Sequence, residues 1–222
     1  MARIVLKLGG RVAAHAAADA CALRAAGHEV VVVHGAGPQI TAEMGRRGIV
    51  PSFVGGRRVT TPDVLEVVRE SMQLVNDEVC AAIGSDAVPL LGDKIGLLAV
   101  QVAELGLVGK PVPSAPTEIV AALQQGRVPV IAPLAVGPLN VNADEAAAAL
   151  AVGLGADRIL FVSDVPGVLV DDQVVATLSV DAADRMLDAG AFQGGIVPKL
   201  EAAVIAARGG VRAAIGSTEV VA

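Results

Sequence analysis

Four lysines occur in the 222-residue chain, Lys7, Lys94, Lys110 and Lys199, and two of them lie beside glycine pairs. Lys7 stands in Lys7-Leu8-Gly9-Gly10, and Lys199 closes Gly194-Gly195-Ile196-Val197-Pro198-Lys199. Glycine lets backbone N–H groups come close to an anion, and the start of a helix adds partial positive charge. A neighbouring ammonium supplies the full charge against which a phosphoryl group in transfer is stabilised. Taken singly, each has a plainer reading: Gly9-Gly10 as the exit of a strand, Lys199 as a solvated helix lysine. Asn140-Val141-Asn142-Ala143-Asp144 leads into an alanine-rich stretch. Alternation by two puts Asn140 and Asn142 on one side of an extended entry, and Asp144 can cap the helix or orient a lysine. Ser163-Asp164-Val165-Pro166-Gly167 has proline and glycine where a β-turn needs them.

Other chemistries find less support. The Walker pattern G-x-x-x-x-G-K-[ST] does not occur, and Gly35-Ala36-Gly37-Pro38 lacks the third glycine of a dinucleotide fingerprint. That argues against a P-loop NTPase and a Rossmann dehydrogenase. His15, His28 and His34 are scattered, without the Cys/His spacing of a zinc site, so no protein-held metal is expected. No G-x-S-x-G elbow is present to carry a serine nucleophile.

The segments that must position these residues alternate between apolar runs and helical patterns. Runs at Arg3–Leu8, Glu29–His34, Ala87–Leu91, 128–131, Arg158–Val162 and Arg212–Ile215 read as strands, the valine-rich second one as buried on both faces. Strands alternating with helices predict βαβ units and a mainly parallel sheet with helices on both sides. The clearest helix spans 61–83, with Thr61 as cap, Pro62 at the first position and Asp63 against the dipole. Its Val64, Val68, Met72, Val75 and Val79 share one face, either a core stripe or a subunit interface. Further helices are expected at 143–152 and 195–208, and hairpins at 48–59, 98–112 and 168–177.

Composition narrows the class. Apolar residues make up 54% and charged residues 18%, the reverse of a disordered chain. Seventeen basic against 23 acidic residues, a net charge of −6 and only three aromatic rings argue against nucleic-acid binding. The longest small-apolar run, 146–156, is too short to span a membrane, and Arg3 and Lys7 interrupt any signal-like start. A soluble cytoplasmic protein is expected, with Cys21 and Cys80 as reduced, buried thiols.

Read together, the motifs become specific. Lys7-Leu8-Gly9-Gly10, His34-Gly35-Ala36-Gly37-Pro38-Gln39, Gly56-Arg57-Arg58-Val59-Thr60, Asn140-Val141-Asn142-Ala143-Asp144, Asp164-Val165-Pro166-Gly167-Val168 and Gly194-Gly195-Ile196-Val197-Pro198-Lys199 occur in this order. The series, from Arg3 to about Ile215, resembles the amino-acid kinase family. Within it, the similarity is strongest to the branch that phosphorylates the side-chain carboxylate of N-acetyl-L-glutamate in arginine biosynthesis.

The resemblance implies an α/β fold, an αβα sandwich with a mostly parallel central sheet. It implies one domain over 1–222 with two lobes, about 1–135 for the acyl amino acid and dimerisation and about 136–222 for nucleotide. By similarity, Lys7 and Lys199 stabilise the transferring phosphoryl group and Asp144 holds both. Gly35, Ala36, Gly37, Arg58, Asn140 and Asn142 would bind the acyl amino acid. Gly9, Gly10, Ser163, Asp164, Gly167, Gly194 and Gly195 would line the phosphate and nucleotide site. Backbone amides of Gly9, Gly10, Gly35 and Gly37 are expected on phosphoryl and substrate oxygens. ATP is the expected donor, with Mg²⁺ held chiefly by its phosphates and water.

Departures from the family pattern carry expectations of their own. Ala36 replaces a glycine, so its Cβ must fit the site and its φ is expected below zero. Leu90-Leu91-Gly92-Asp93 stands where many relatives carry a Ser-Gly pair, and the short tail after Gly210 suggests a trimmed nucleotide lobe. A homodimer through the 61–83 helix is implied. Arginine-sensitive relatives carry a helix ahead of the first strand, where this chain has Met1 and Ala2, so no arginine inhibition is expected. Two other functions remain open. One is the related kinase acting on carrier-linked α-aminoadipate, whose docking patch could use Arg46, Arg47, Arg57 and Arg58. The other is a catalytically silent member serving as a binding module.

Overall fold

The computed structural model describes residues 1–9, 13–162 and 165–222. In chain order the elements begin with β1 (Arg3–Leu8), α1 (Ala13–Ala25), β2 (Glu29–His34), α2 (Gly37–Arg46), β3 (Phe53–Val54), β4 (Arg57–Arg58), α3 (Pro62–Ile83) and β5 (Ala87–Leu91). They continue through β6 (Ala99–Gln101), a 3₁₀ turn at Ala103–Leu105, β7 (Val108–Pro111), α4 (Thr117–Gln124), β8 (Val128–Ala132), β9 (Leu134–Ala135), β10 (Leu139–Val141) and α5 (Ala143–Gly153). The last part is β11 (Arg158–Val162), β12 (Leu169–Val170), β13 (Gln173–Val174), β14 (Thr177–Ser179), α6 (Val180–Asp188), α7 (Ile196–Arg208), β15 (Arg212–Ile215) and β16 (Thr218–Val221).

Eight strands form one sheet in the order β14-β16-β15-β11-β1-β2-β8-β5. Every neighbouring pair is parallel except β15 with β16. The expected αβα sandwich is therefore present. The tail after Gly210 supplies β15 and β16, which tie β14 to the rest of the sheet. The outer strand β5 contains Pro89, a residue that sheets tolerate at edges because it lacks an N–H donor.

Strand alternation distributes the core. On β1, Ile4, Leu6 and Leu8 face α1, α2 and α3, whereas Val5 faces the layer of α5 and α7. Lys7 shares the side of Val5, which aims the one ammonium in the central strand at the beginning of α5. Helix α5 can lie close to the sheet and to α7 because its buried residues Ala146, Ala147, Ala148, Ala149 and Ala151 have almost no side chain to keep them apart.

The apolar stripe of α3 belongs to this chain's own core. Val64, Val68, Met72, Val75 and Val79 are all sealed against β-sheet and helix neighbours. The outward face instead carries Asp63, Glu66, Glu70, Gln73, Asp77 and Glu78, with Leu74 as its large apolar residue. The stripe thus lends no support to a two-fold contact. The reading of Cys21 as a buried thiol is also corrected: it lies on the exposed side of α1, while Cys80 on α3 is half-buried. No described helix is long and apolar enough to cross a membrane.

Candidate active site

At the carboxyl ends of β1, β2 and β11 the chain leaves a cleft of about 790 Å³. That is where parallel α/β sheets place their ligands, since the following helices begin there. Helices α2, α5 and α7 all present their first residues to it: Gly37 and Pro38, Ala143 and Asp144, and Gly195 and Ile196. Three positive dipole ends converge, an arrangement suited to an anionic ligand.

Two cations and one carboxylate occupy the centre. Lys7 Nζ lies 2.8 Å from Asp144 Oδ1, and Lys199 Nζ lies 3.8 Å from Asp144 Oδ2. Lys7 is 5% exposed and Asp144 4%. Lys199, on the first turns of α7, also donates to the carbonyl of Gly195 at 3.4 Å. Asp144 is spared from capping because Asn142 does that work. The Asn142 side-chain oxygen accepts from the amides of Asp144 at 2.8 Å and Glu145 at 3.2 Å. Of the two roles open to Asp144 in the sequence, the structure gives it the lysine contacts.

Arg58 lies at the other end of the cleft. It is 7% exposed, its guanidinium 4.6 Å from the Phe53 ring centroid. It donates to Thr41 Oγ1 at 2.8 Å and, at 3.4 Å, to the carbonyl of Gly37. Among the described residues no carboxylate pairs with it. Burial lowers its pKa from the ordinary guanidinium value. Asn140 donates to Thr60 Oγ1 at 3.0 Å, and Thr60 donates on to the carbonyl of Arg58 at 2.8 Å. The asparagine therefore braces the strand that carries the arginine.

Both arginines sit on the β3–β4 hairpin, whose turn residues Gly55 and Gly56 have φ of 53° and 75°. Turns of this left-handed kind match the right-handed twist of the strands that they join. Adjacent strand residues point to opposite sides, so Arg57 faces away from Arg58 and reaches the start of α5. There Arg57 Nη2 and Nε lie 2.7 and 2.9 Å from Glu145 Oε1. Burial pushes the Glu145 carboxyl up from its ordinary pKa, and the Arg57 charge opposes that shift. Sequence reasoning placed Arg57 only in the Gly56–Thr60 motif and a possible docking patch, and passed over Glu145, Thr41 and Phe53. The adjacent Arg-Arg in a strand, with an acid following Asp144 in the first turn, was the available signal.

The structure corrects the expected role of two amides. Gly9 N–H donates to the carbonyl of Val162 at 3.1 Å and Gly35 N–H to that of Leu8 at 3.0 Å. Both continue the sheet's ladder and are not directed at a ligand. Gly9, Gly35, Ala36, Gly37, Asn140, Asn142, Gly167 and Gly195 nonetheless line the cleft. Gly194 does not; it holds a left-handed turn, φ 67°, ahead of α7. Gly10, Ser163 and Asp164 lie outside the described residues. Ala36 has φ −135°, below zero as expected, and is 1% exposed. Gly167 has a steric reason: a Cβ there would sit 2.7 Å from Thr218 Oγ1 and from Val174 Cγ1. Among the described residues no group of three or more His, Cys, Asp or Glu could hold a metal ion.

Near the site, His34 is buried at 1% exposure beneath the Gly35 turn. Its Nε2 lies 3.0 Å from Asn76 Nδ2, which also donates to the carbonyl of Val130. Burial pulls the imidazole pKa down to about 4, so the ring is neutral at physiological pH. Asp93, in the segment that departs from the family pattern, pairs at 2.6 Å with Arg69 of α3.

Comparison with known proteins agrees with this geometry. The acetylglutamate kinase of Rubrobacter xylanophilus is 42% identical over 97% of this chain and 88% of its own length. That of Frankia casuarinae is 40% identical over 95% of this chain, which spans 65% of that relative's length. A solved protein of Streptococcus mutans superposes with a TM-score of 0.88 at 25% identity, over 99% of this chain and 98% of its own. Residues 2–217 match the family described as the amino acid kinase family. The match takes in the helix-ended cleft, its paired lysines and every element before β16: the chain belongs to the amino acid kinase family.

Proposed function

We propose that this protein transfers the γ-phosphoryl group of ATP to the side-chain carboxylate of N-acetyl-L-glutamate. The observation that carries the reading is Asp144 between Lys7 and Lys199 in a cleft whose far end holds Arg58. A carboxylate is a nucleophile at neutral pH, so the reaction needs no general base. One carboxylate oxygen attacks the γ-phosphorus, the bond to the β,γ-bridging oxygen breaks, and ADP leaves with that electron pair. Lys7 and Lys199 would neutralise the charge on the transferring group from either side, and Asp144 would fix their separation. Arg58 would take the substrate's other carboxylate in a planar fork. The free amide nitrogen of Asn142, together with Asn140, would orient the acyl end. Gly9, Gly167 and Gly195 would let the nucleotide phosphates approach, with Mg²⁺ neutralising phosphate charge as it arrives with ATP. The N-terminal elements would thus hold the acyl amino acid and the C-terminal ones the nucleotide.

The arginines weigh against the carrier-linked alternative. Arg46 and Arg47 are tied to Glu43, Arg47 also to Glu70, Arg57 to Glu145, and Arg58 is buried. They do not form the open cationic face that would steer an acidic carrier protein. The intact lysine–aspartate centre speaks against a silent binding module. A coupled assay of ADP release with N-acetylglutamate, N-acetylaspartate and free glutamate tests the reading. Turnover is expected with the first and much less with the others; equal turnover with glutamate, or none with any, would reject it.

A further inference from the structure

The first turn of α5 carries two adjacent carboxylates, and the cleft uses one. Asp144 points to the lysines, whereas Glu145 turns to the β3–β4 hairpin and meets Arg57 at 2.7 Å. Its side chain is 6% exposed, against 26% for Arg57, so the contact is shielded and stronger than a surface pair. Beyond the Asn140–Thr60–Arg58 hydrogen bonds at the base of β4, little else holds the hairpin. Phe53 and Val54 are more than half exposed, and among the described residues only Pro198 of α7 comes near the position of a side chain at Gly56, 3.9 Å away. Yet this hairpin carries Arg58 on its opposite side, braced by Thr41 from α2. The two neighbouring guanidinium groups therefore fasten the same short ribbon to α5 on one side and to α2 on the other.

We infer that Glu145 is a positioning residue: through Arg57 it sets the β3–β4 hairpin, and with it the Arg58 guanidinium, over the substrate end of the cleft. This rests on the reading of Arg58 as the partner of the acyl amino acid. It makes one helical turn responsible for both ends of the reaction, Asp144 spacing the lysines and Glu145 placing the clamp. Arg57 lines the cleft at the hairpin and Glu145 does not, and their loss is expected to act on substrate capture. A misplaced hairpin weakens a bidentate contact steeply, because both hydrogen bonds depend on the same plane.

The test uses the whole protein with Glu145→Gln, Arg57→Met, the double variant and Arg58→Lys. Each single variant of the pair should raise KM for N-acetylglutamate by about tenfold while KM for ATP moves less than about twofold. The double variant should be no worse than the weaker-binding single one, since both remove the same contact. A purely structural role would move both KM values together and lower the thermal midpoint in step. Should Glu145→Gln fail to fold, Arg57→Met alone carries the same KM comparison. Unchanged KM for N-acetylglutamate in Arg57→Met and Glu145→Gln, with a large rise in Arg58→Lys, would overturn the role of Glu145 alone. Additive losses in the double variant would overturn it as well. No rise in Arg58→Lys would remove the substrate reading, and the inference with it.

Discussion

Lys7 Nζ and Asp144 Oδ1 are 2.8 Å apart, each side chain 6% exposed, and one comes from the central strand while the other opens a helix. Such a sealed pair is costly to halve. Asp144→Asn takes from the buried Lys7 ammonium the carboxylate it pairs with, and should cost about 3–5 kcal/mol of stability. Denaturant titration of the variant beside the parent measures it. Wild-type stability would mean the lysines find another anion.

Lys7→Ala and Lys199→Ala should each lower kcat by about 10²–10³, because charge placed against a transition state acts mainly there. Substrate affinities should shift much less. Near-parental turnover in both variants would take the lysines out of the chemistry.

Arg58→Lys should weaken N-acetylglutamate far more than ATP. A lysine cannot lie flat on Phe53, hydrogen-bond Thr41 and present a two-pronged donor at once. Calorimetric titration with each ligand separates the two effects; equal losses would place Arg58 outside the substrate pocket.

His34 predicts a pH dependence with a definite sign. Its folded pKa is about 4 against an ordinary 6.5, so the unfolded chain binds its proton first as pH falls. Stability from this residue is complete above pH 6.5 and declines down to about pH 4, by about 3 kcal/mol in all. His34→Gln should flatten that slope relative to the parent. An unchanged slope would mean the acid sensitivity belongs to other groups.

Thiol labelling offers a quick check on the helical layer. Cys21 is exposed and should react in the native protein, whereas burial raises the half-buried Cys80 to a pKa of about 11 and should keep it slow until unfolding. Two equally fast thiols would contradict this placement of α3.

Much of this architecture is legible in the residue order. The β1, β2 and β8 runs announce themselves because strands buried on both faces read as nearly continuous apolar stretches, and Thr61-Pro62-Asp63 marks the start of α3 without ambiguity. Whether the α3 stripe meets this chain or another is not encoded in its periodicity, which is the same for either partner. Likewise α4 and α6 are too short for a firm periodic signal. In the site, glycine-lysine and Asn-x-Asn-x-Asp patterns can be found because their types are unusual together. The Arg57–Glu145 contact joins residues far apart in the chain, with nothing local to link them. Equally, glycines suggest open amides, but only the paired strands reveal that Gly9 and Gly35 already spend theirs on Val162 and Leu8.

The ends of the sheet bear on aggregation. A long flat edge strand invites another chain to extend the ladder, and folded proteins commonly blunt it with proline or by cutting it short. Here β5 has a proline among its five residues, and β14 at the opposite end runs for only three before entering α6. Both margins are therefore poor templates for strand addition. A chain this rich in valine and alanine can keep its most cohesive surface from seeding fibrous association while its helices and loops stay available for ligands.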